Sequence, residues 1–306
     1  MPSATAATFV VHPDIIWLEV QGIEVQGILE KHGRGGSNDM YVAGIDAGST
    51  ATKVVLLADG RLKATAIMNT GVDIAKTTSL CLEKALREAR IEARNLGSVV
   101  ATGYGREKVS EANKTVCEIS CLARGSRELV PRARTIIDIG GRDFRIIRLD
   151  ESGVVVNSVV NDRCAAGTGR FLELMAEKTG IELSDFGRVW CQAREPVKLS
   201  SSCTVFIASE VQDLIARGVP KPAIIRGICD AVAEKIACAS KDLGVEPPVV
   251  LVGGVSQNHG IRKALEKCFS SRIVVPPMAQ FAGAYGAALA AMEALGMFEV
   301  SCARNG

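Results

Sequence analysis

Histidine is scarce in this chain of 306 residues, which contains three: His12, His32 and His259. Because two of them lie within the first 39 residues, catalysis built on histidine is disfavoured. Long apolar runs are missing as well, and stretches such as 249–252 and 284–291 fall well short of the roughly 20 residues that a membrane-spanning helix needs. The start of the chain also lacks the pattern of a signal peptide. We therefore expect a cytoplasmic protein that does not enter the membrane.

A large excess of charge of either sign is absent too. The chain has 36 lysines and arginines against 34 aspartates and glutamates, and no basic run is interleaved with aromatic residues. A nucleic-acid surface is therefore not expected. Ten cysteines are too few for a disulfide scaffold in a chain of this length. What is present is a hydrophobic fraction of 47%, enough to fill the cores of two domains.

The order of hydrophobic patterns divides the chain into three regions. Residues 1–39 hold a short apolar stretch and a polar, glycine-rich run, and we predict an extension outside the core fold. From Met40 onward, strand patterns alternate with helical patterns, and the series restarts near the middle of the chain. This pattern predicts an α/β protein with a first lobe at 40–133 and a second at 134–306. In an alternative arrangement, the last helix, 281–295, returns to the first lobe.

An internal repeat connects the two predicted lobes. Residues 45–48, Ile-Asp-Ala-Gly, align without gaps with residues 137–140, Ile-Asp-Ile-Gly, and the same alignment places Lys53 over Arg145. Two copies of one strand-turn-strand unit predict two similar lobes that face each other across a cleft. A nucleotide would lie between them.

The first copy of this unit has the composition of a phosphate-binding turn. In residues 44–50, Gly-Ile-Asp-Ala-Gly-Ser-Thr, a strand ends at an aspartate and small residues follow, whose backbone N–H groups can point at an anion. Asp46 would hold Mg²⁺ through water, while Ser49, Thr50 and Lys53 approach the phosphate oxygens. A single turn of this kind is also compatible with an ordinary hairpin.

The second copy, residues 138–143, reads Asp-Ile-Gly-Gly-Arg-Asp and repeats the arrangement around Asp138. Two copies in register favour a nucleotide site over two unrelated hairpins. A further glycine pair, Gly253-Gly254, lies between an apolar strand and a helix, where adenosine could approach the backbone. This segment has neither the lysine of a Walker loop nor the full glycine spacing of a dinucleotide fold.

Two cysteines stand apart from the others by their local setting. Cys164 and Cys203 each precede a predicted helix, whose N-terminal N–H groups would stabilise a thiolate. A four-iron cluster is commonly held by four thiolates, so two chains with two cysteines each would hold one cluster on the axis of a homodimer. The alternative is that both are ordinary residues at the start of a helix. Cys117 and Cys121 share a helical spacing but lack the partners of a zinc site, and we expect them to be structural.

Several of these segments, in this order, carry a resemblance to a known family. The segments are 44–50, 101–106 (Ala-Thr-Gly-Tyr-Gly-Arg), 138–141 and 161–171 (Asn-Asp-Arg-Cys-Ala-Ala-Gly-Thr-Gly-Arg-Phe). The chain resembles the activators of 2-hydroxyacyl-CoA dehydratases, in the BadF/BadG/BcrA/BcrD ATPase family, and the ATP-binding subunits of benzoyl-CoA reductase. The resemblance covers about residues 40 to 295.

The resemblance implies a two-lobed ATPase of the actin, heat-shock protein and sugar-kinase (ASKHA) superfamily with duplicated ribonuclease H-like domains. It also implies a homodimer with one [4Fe-4S] cluster held by Cys164 and Cys203 of each chain. A ferredoxin or flavodoxin would reduce the cluster, and hydrolysis of Mg²⁺-bound ATP would drive the electron on to a 2-hydroxyacyl-CoA dehydratase or a benzoyl-CoA reductase-like component. No nucleic acid and no membrane would take part.

The candidate site is therefore a nucleotide site with two aspartates and a cluster site with two cysteines. The catalytic candidates are Asp46 and Asp138, the cluster ligands are Cys164 and Cys203, and the nucleotide-binding candidates are Gly48, Ser49, Thr50, Ala51, Thr52, Lys53, Gly140, Gly141, Arg142, Gly253, Gly254 and, by similarity, Gln280. Family members usually have glutamine where this chain has Arg142, which would contact phosphate or pair outward with Asp143. Two rival functions are a small-molecule kinase of the same superfamily and a non-catalytic nucleotide sensor.

Overall fold

The computed structural model describes residues 40–162, 164–200 and 203–297, together with the backbone of three strands nearer the N-terminus. These strands are β1 (Phe9–His12), β2 (Ile15–Val20) and β3 (Ile23–Gly27). They form an antiparallel sheet in the order β1-β2-β3, separate from the two larger sheets. The prediction that residues 1–39 are an extension falls largely outside the described residues, and it stays a prediction.

The first of two compact units contains residues 40–133, 150–154 and 276–297 of the described chain. Its five-stranded sheet has the order β6-β5-β4-β7-β8. The elements of this unit are β4 (Tyr41–Ala47), β5 (Ala51–Ala58), β6 (Arg61–Asn69), α1 (Ile74–Ala89), β7 (Leu96–Thr102), β8 (Lys114–Thr115), α2 (Glu118–Leu129) and, at the end of the chain, α8 (Ala282–Ala294). The last helix thus belongs to the first unit, in the alternative arrangement that the sequence left open.

The second unit contains residues 134–149 and the described part of 155–275. Its sheet has the order β11-β10-β9-β12-β13. Its elements are β9 (Thr135–Ile139), β10 (Phe144–Leu149), β11 (Val155–Asn161), α3 (Gly169–Thr179), α4 (Phe186–Trp190), α5 (Thr204–Ala216), α6 (Lys221–Ala239), β12 (Val249–Val252), α7 (His259–Phe269) and β13 (Ile273–Val274).

The two large sheets are copies of one topology, as the internal repeat predicts. In the first, the central strand β4 pairs antiparallel with β5 and parallel with β7; in the second, β9 pairs antiparallel with β10 and parallel with β12. The cross-strand register matches as well, because Asp46 lies opposite Lys53 and Asp138 lies opposite Arg145. The duplication therefore extends from the sequence to the placement of individual side chains.

The cores follow from the apolar runs that form these strands and helices. Every residue of β9 and of β12 is buried, as expected for strands covered on both faces. Helix α8 is apolar on all sides, and its residues up to Met292 are buried against the first sheet and α2. Among the described residues, no helix has both the length and the apolar character needed to cross a membrane.

Candidate functional site

The first aspartate turn connects β4 to β5. Asp46 lies one residue before the end of β4, and its Oδ2 accepts a hydrogen bond from Lys53 Nζ at 3.0 Å. Both side chains are partly buried, with 14% of Lys53 and 19% of Asp46 exposed. Partial burial strengthens an ion pair of this kind relative to one on the surface. Lys53 therefore balances the charge of Asp46, and its approach to phosphate stays a prediction.

Two threonines, Thr52 and Thr70, stabilise the same turn. Thr70 donates from its hydroxyl to the Gly48 carbonyl at 2.7 Å, and its Oγ1 lies 3.0 Å from Thr52 Oγ1. Thr52 has no exposed surface. Its side chain therefore stabilises the turn, and its assignment as a nucleotide contact stays a prediction. The neighbouring Ser49, Thr50 and Ala51 are half-buried, so their side chains keep exposed surface.

The segment that follows β7 packs against the Asp46 carboxylate. Gly103 has a φ of +93°, and a side-chain Cβ at this position would lie 2.5 Å from Asp46 Oδ1. A residue with a side chain would therefore clash as well as strain the backbone. The next glycine, Gly105, donates its N–H to the Ala47 carbonyl at 2.8 Å. The sequence segment 101–106 thus has a clear role, which the sequence reasoning did not assign.

The second aspartate turn connects β9 to β10. Arg145 Nη1 lies 3.2 Å from Asp138 Oδ2 and 3.1 Å from Asp143 Oδ1, while Nη2 lies 3.0 Å from Asp143 Oδ2. The Asp138 side chain is 9% exposed. Arg142 is exposed at the tip of the turn. Arg145 bonds to both oxygens of Asp143, and the outward pairing of Arg142 with Asp143, one of the two alternatives, is not among the contacts of the described residues.

The glycine pair 253–254 follows β12, as the equivalent segment follows β7 in the first unit. Gly253 is buried with a φ of +83°, and a Cβ there would lie 2.5 Å from both Asp138 Oδ1 and the Ile139 carbonyl. Gly253 is thus the counterpart of Gly103 and packs behind the aspartate. Gly254 is exposed at the start of a short turn of 3-10 helix, residues 254–257. Of the two glycines, Gly254 is the one with surface for a nucleotide.

Gln280 lies in the first unit, in a single 3-10 turn, Ala279–Phe281, directly before α8. Its side chain is half-buried. In the first turn of α8, a Cβ at Gly283 would lie 3.4 Å from Asp46 Oδ2, so the N-terminus of this helix approaches the Asp46 carboxylate. The positive end of a helix favours a negative group at that place. The sequence signal for this approach is the small-residue composition of α8, which we used only to predict a helix.

Cys203 is the N-cap residue of α5 and is exposed. This is the position at the start of a helix that the sequence predicts. The two residues after Thr204, Val205 and Phe206, are 68% and 65% exposed. The cysteine is therefore followed by an uncovered apolar patch on the first turn of its helix.

Cys164 is half-buried, and its setting differs from the predicted one. Helix α3 begins at Gly169, five residues later, with Thr168 as its N-cap. The N–H groups of Gly169 and Arg170 donate to the carbonyls of Gly140 and Gly141, at 2.9 and 2.8 Å. These donors bond to the second aspartate turn, and Cys164 does not lie directly before the helix as the sequence predicts. What holds Cys164 in place is a hydrogen bond from Asn161 Nδ2 to its carbonyl at 3.0 Å.

Cys117 and Cys121 lie in the first unit, at the start of α2. Cys121 is buried, which raises the pKa of its thiol to about 11. Cys117 is the exposed N-cap residue, and no side-chain bond caps the helix there. In the part of the chain that the structure describes, no group of three or more His, Cys, Asp or Glu side chains is arranged to hold a metal ion.

The two sheets of one topology, each with an aspartate turn, define the α/β fold of the actin, heat-shock protein and sugar-kinase class. A glucokinase of the ROK family from Streptomyces griseus shares this fold, with a TM-score of 0.51 at 13% identity. The chain itself belongs to the BadF/BadG/BcrA/BcrD ATPase family, which it matches over residues 43–291. Residues 1–39 lie outside that match.

Relatives in this family are similar over nearly their whole length. The chain is 40% identical over 255 residues to the 2-hydroxyisocaproyl-CoA dehydratase activator of Clostridioides difficile, covering 83% of this chain and 96% of the relative. The crystal structure of component A of (R)-2-hydroxyglutaryl-CoA dehydratase from Acidaminococcus fermentans superposes with a TM-score of 0.81 at 37% identity, over 84% of this chain and 99% of that one. The activator of 2-hydroxyisocaproyl-CoA dehydratase from Clostridium difficile with bound ADPNP has a TM-score of 0.80 at 39% identity, over 85% and 98% of the two chains.

Proposed function

We propose that this chain is an ATP-dependent activator that delivers one electron at a time to a 2-hydroxyacyl-CoA dehydratase or a related CoA-ester reductase. One observation carries the proposal. The backbone of the second aspartate turn is hydrogen-bonded to the helix that follows Cys164, so one unit joins nucleotide chemistry to a candidate cluster ligand. The two activators of known structure have the same fold over nearly their whole length, and one of them binds ADPNP.

The nucleotide part of the function rests on the two aspartate turns. Carboxylate oxygens are the ligands that Mg²⁺ prefers, and Asp46 and Asp138 both end a strand beside a tight turn. In this proposal each carboxylate would hold Mg²⁺ through water, while the turn backbone of its own unit would face phosphate: Gly48 beside Asp46, and Gly140 and Gly141 beside Asp138. Arg142, exposed at the tip of the second turn, adds a cation that can donate to a phosphate oxygen.

The cluster part of the function rests on Cys164 and Cys203. Both lie in the second unit, and the helices that follow them, α3 and α5, pack against each other. One thiol is half-buried and the other exposed, which suits ligands that a second chain completes. We propose that two copies of the chain hold one [4Fe-4S] cluster, with the exposed Val205 and Phe206 covered in the dimer. When bound, the cluster would supply a single low-potential electron.

The coupling between the two parts runs through backbone hydrogen bonds. Gly140 and Gly141 accept from the first two N–H groups of α3, so a shift of this turn on nucleotide hydrolysis would displace the helix. A Cβ on Gly167, three residues after Cys164, would contact the Phe144 ring at 3.2 Å, so the cysteine loop also packs on β10. Nucleotide hydrolysis thereby changes the surroundings of Cys164. The electron enters from a ferredoxin or flavodoxin and leaves to the dehydratase, and the protein returns to its starting oxidation state after each transfer.

Iron analysis tests the cluster assignment. Protein purified and reconstituted without oxygen should contain about two irons per chain, since four irons serve two chains. Cys164→Ala and Cys203→Ala should each lose the iron and the dimer. Cys238→Ala removes another exposed cysteine of the same unit and should keep both. Full iron content in either of the first two variants would refute this ligand set.

We further propose a cytoplasmic and anaerobic setting, because oxygen would destroy a cluster held by one half-buried and one exposed cysteine of each chain. The kinase alternative predicts a different result in the same preparation. Iron-free protein that phosphorylates a sugar or an acid, with Cys164→Ala fully active, would favour that function.

A further inference from the structure

The two aspartate turns share one plan but carry different cations. In each, the aspartate at the end of the central strand faces a basic residue on the antiparallel neighbour: Lys53 faces Asp46, and Arg145 faces Asp138. A glycine with a positive φ packs against each carboxylate: Gly103 against Asp46, and Gly253 against Asp138. The choice of cation is therefore the clearest chemical difference between two otherwise equivalent turns.

Arg145 is fixed in place by two carboxylates at once. Its guanidinium makes three contacts of 3.0 to 3.2 Å, one to Asp138 and two to Asp143. The residue is 8% exposed. A planar guanidinium that bonds to two carboxylates loses several charge-assisted hydrogen bonds if it rotates away. Its rotation would also leave both carboxylates without these bonds. Arg145 therefore stays with Asp138 whether or not a ligand is present.

Lys53, by contrast, can exchange one hydrogen-bond acceptor for another. Its ammonium is a compact charge on a flexible stem of four carbons, and such a group can swing between acceptors at little cost in geometry. Its contact with Asp46 Oδ2 at 3.0 Å leaves it beside the turn of residues 48–50, where phosphate is expected. An arriving phosphate can take this ammonium from Asp46 without disturbing the strand pairing.

We propose that Arg145 is a positioning residue that fixes the Asp138 carboxylate for Mg²⁺, and that the basic residues of the two turns have different roles. Lys53 exchanges between Asp46 and the nucleotide, while Arg145 holds Asp138 in one orientation throughout. Gly253 lies behind Asp138 Oδ1 and Arg145 holds Oδ2, so the carboxylate is constrained from both sides. This inference rests on the proposed binding of ATP and adds a residue to which the sequence assigned no role.

Metal binding in the presence of ADPNP tests the inference directly, with Mn²⁺ as a spectroscopic substitute for Mg²⁺. Arg145→Lys keeps the charge but removes the fork, and we expect the dissociation constant for Mn²⁺ to rise about tenfold, as typically follows loss of a residue that orients a metal ligand. The affinity for ADPNP without metal should stay within about twofold of that of the parent, because the phosphate-facing backbone is unchanged. Arg148→Lys is the matched control: it lies on the same strand but bonds to the Leu243 carbonyl and to Glu246.

The outcomes separate the inference from the proposed function. Parent protein that binds neither ADPNP nor Mn²⁺ would refute the proposed function itself. Normal binding by the parent, with Mn²⁺ affinities of Arg145→Lys and Arg148→Lys both equal to the parent value, would overturn the positioning role. If Arg145→Lys does not fold, Asp143→Asn replaces it, because this change weakens the fork from the other side. Weaker Mn²⁺ binding by Asp143→Asn supports the role, and parent-like binding overturns it.

Discussion

At the scale of single residues, each aspartate turn depends on buried neighbours that are distant along the chain. The aspartates and glycines of both turns lie where the repeat predicts, because a strand that ends in Asp-x-Gly has few alternatives to a tight turn. Thr52 and Gly253 are buried supports of the aspartate turns, and the sequence could not show this because their partners, Thr70 and Asp138, are distant along the chain.

Exposed cysteines outside the cluster site differ in their predicted reactivity. Although partial burial of Cys117 acts to raise its pKa, hydrogen bonds from Ser120 and the backbone at the start of α2 lower it overall. Partial burial, aided by Glu234 and Asp230, raises the pKa of Cys268, which is also exposed. At neutral pH, Cys117 should therefore react faster with iodoacetamide than Cys268, because more of it is thiolate. Peptide mass spectrometry measures both rates in one sample.

The alkylation rate of Cys117 should depend on pH. Lowering the pH protonates the Cys117 thiolate and should slow its alkylation. Ser120→Ala removes the hydroxyl that lies 3.1 Å from Cys117 Sγ, so the pKa should rise and the rate at neutral pH should fall. Equal rates for Cys117 and Cys268, unaffected by Ser120→Ala, would contradict the assignment.

At the scale of secondary-structure elements, hydrophobic period was a reliable guide. The helices predicted after Cys164 and Cys203 are found at Gly169–Thr179 and Thr204–Ala216. The two-residue strands β8 and β13 are too short to leave a periodic pattern, and none was predicted. The distance from Cys164 to α3 was also unpredictable, because the glycines of the segment 164–169 fit a loop as well as a helix start.

Close packing between helices depends on glycine at one position of α8. A Cβ on Gly286 would lie 1.8 Å from the Cys121 carbonyl of α2, whereas a Cβ on Gly283, in the same helix, has its nearest neighbour at 3.4 Å. We expect Gly286→Ala to lower the free energy of unfolding by about 1 to 3 kcal/mol through overpacking. Gly283→Ala should be neutral or stabilising by up to about 1 kcal/mol, since alanine favours a helix. Urea unfolding of the two variants compares them, and equal stability would contradict the packing.

At the scale of the whole molecule, the duplication is the feature that sequence reveals most completely. A gapless alignment of two short segments predicted two sheets of one topology, and both sheets and the cross-strand pairs within them agree. The position of the last helix was left open, because α8 is apolar on all sides and its sequence does not say which sheet it covers. Contacts with β4 and α2 place it in the first unit.

Coupling of nucleotide hydrolysis to electron transfer is the central claim, and one measurement tests it most directly. Iron-loaded protein, reduced without oxygen, is mixed with a dehydratase, and its reoxidation is followed by absorbance with ATP, with ADPNP or without nucleotide. We predict that ATP supports rapid transfer of one electron per dimer. ADPNP resists hydrolysis, so protein mixed with it should stay reduced. Reoxidation at the same rate under all three conditions would contradict the account.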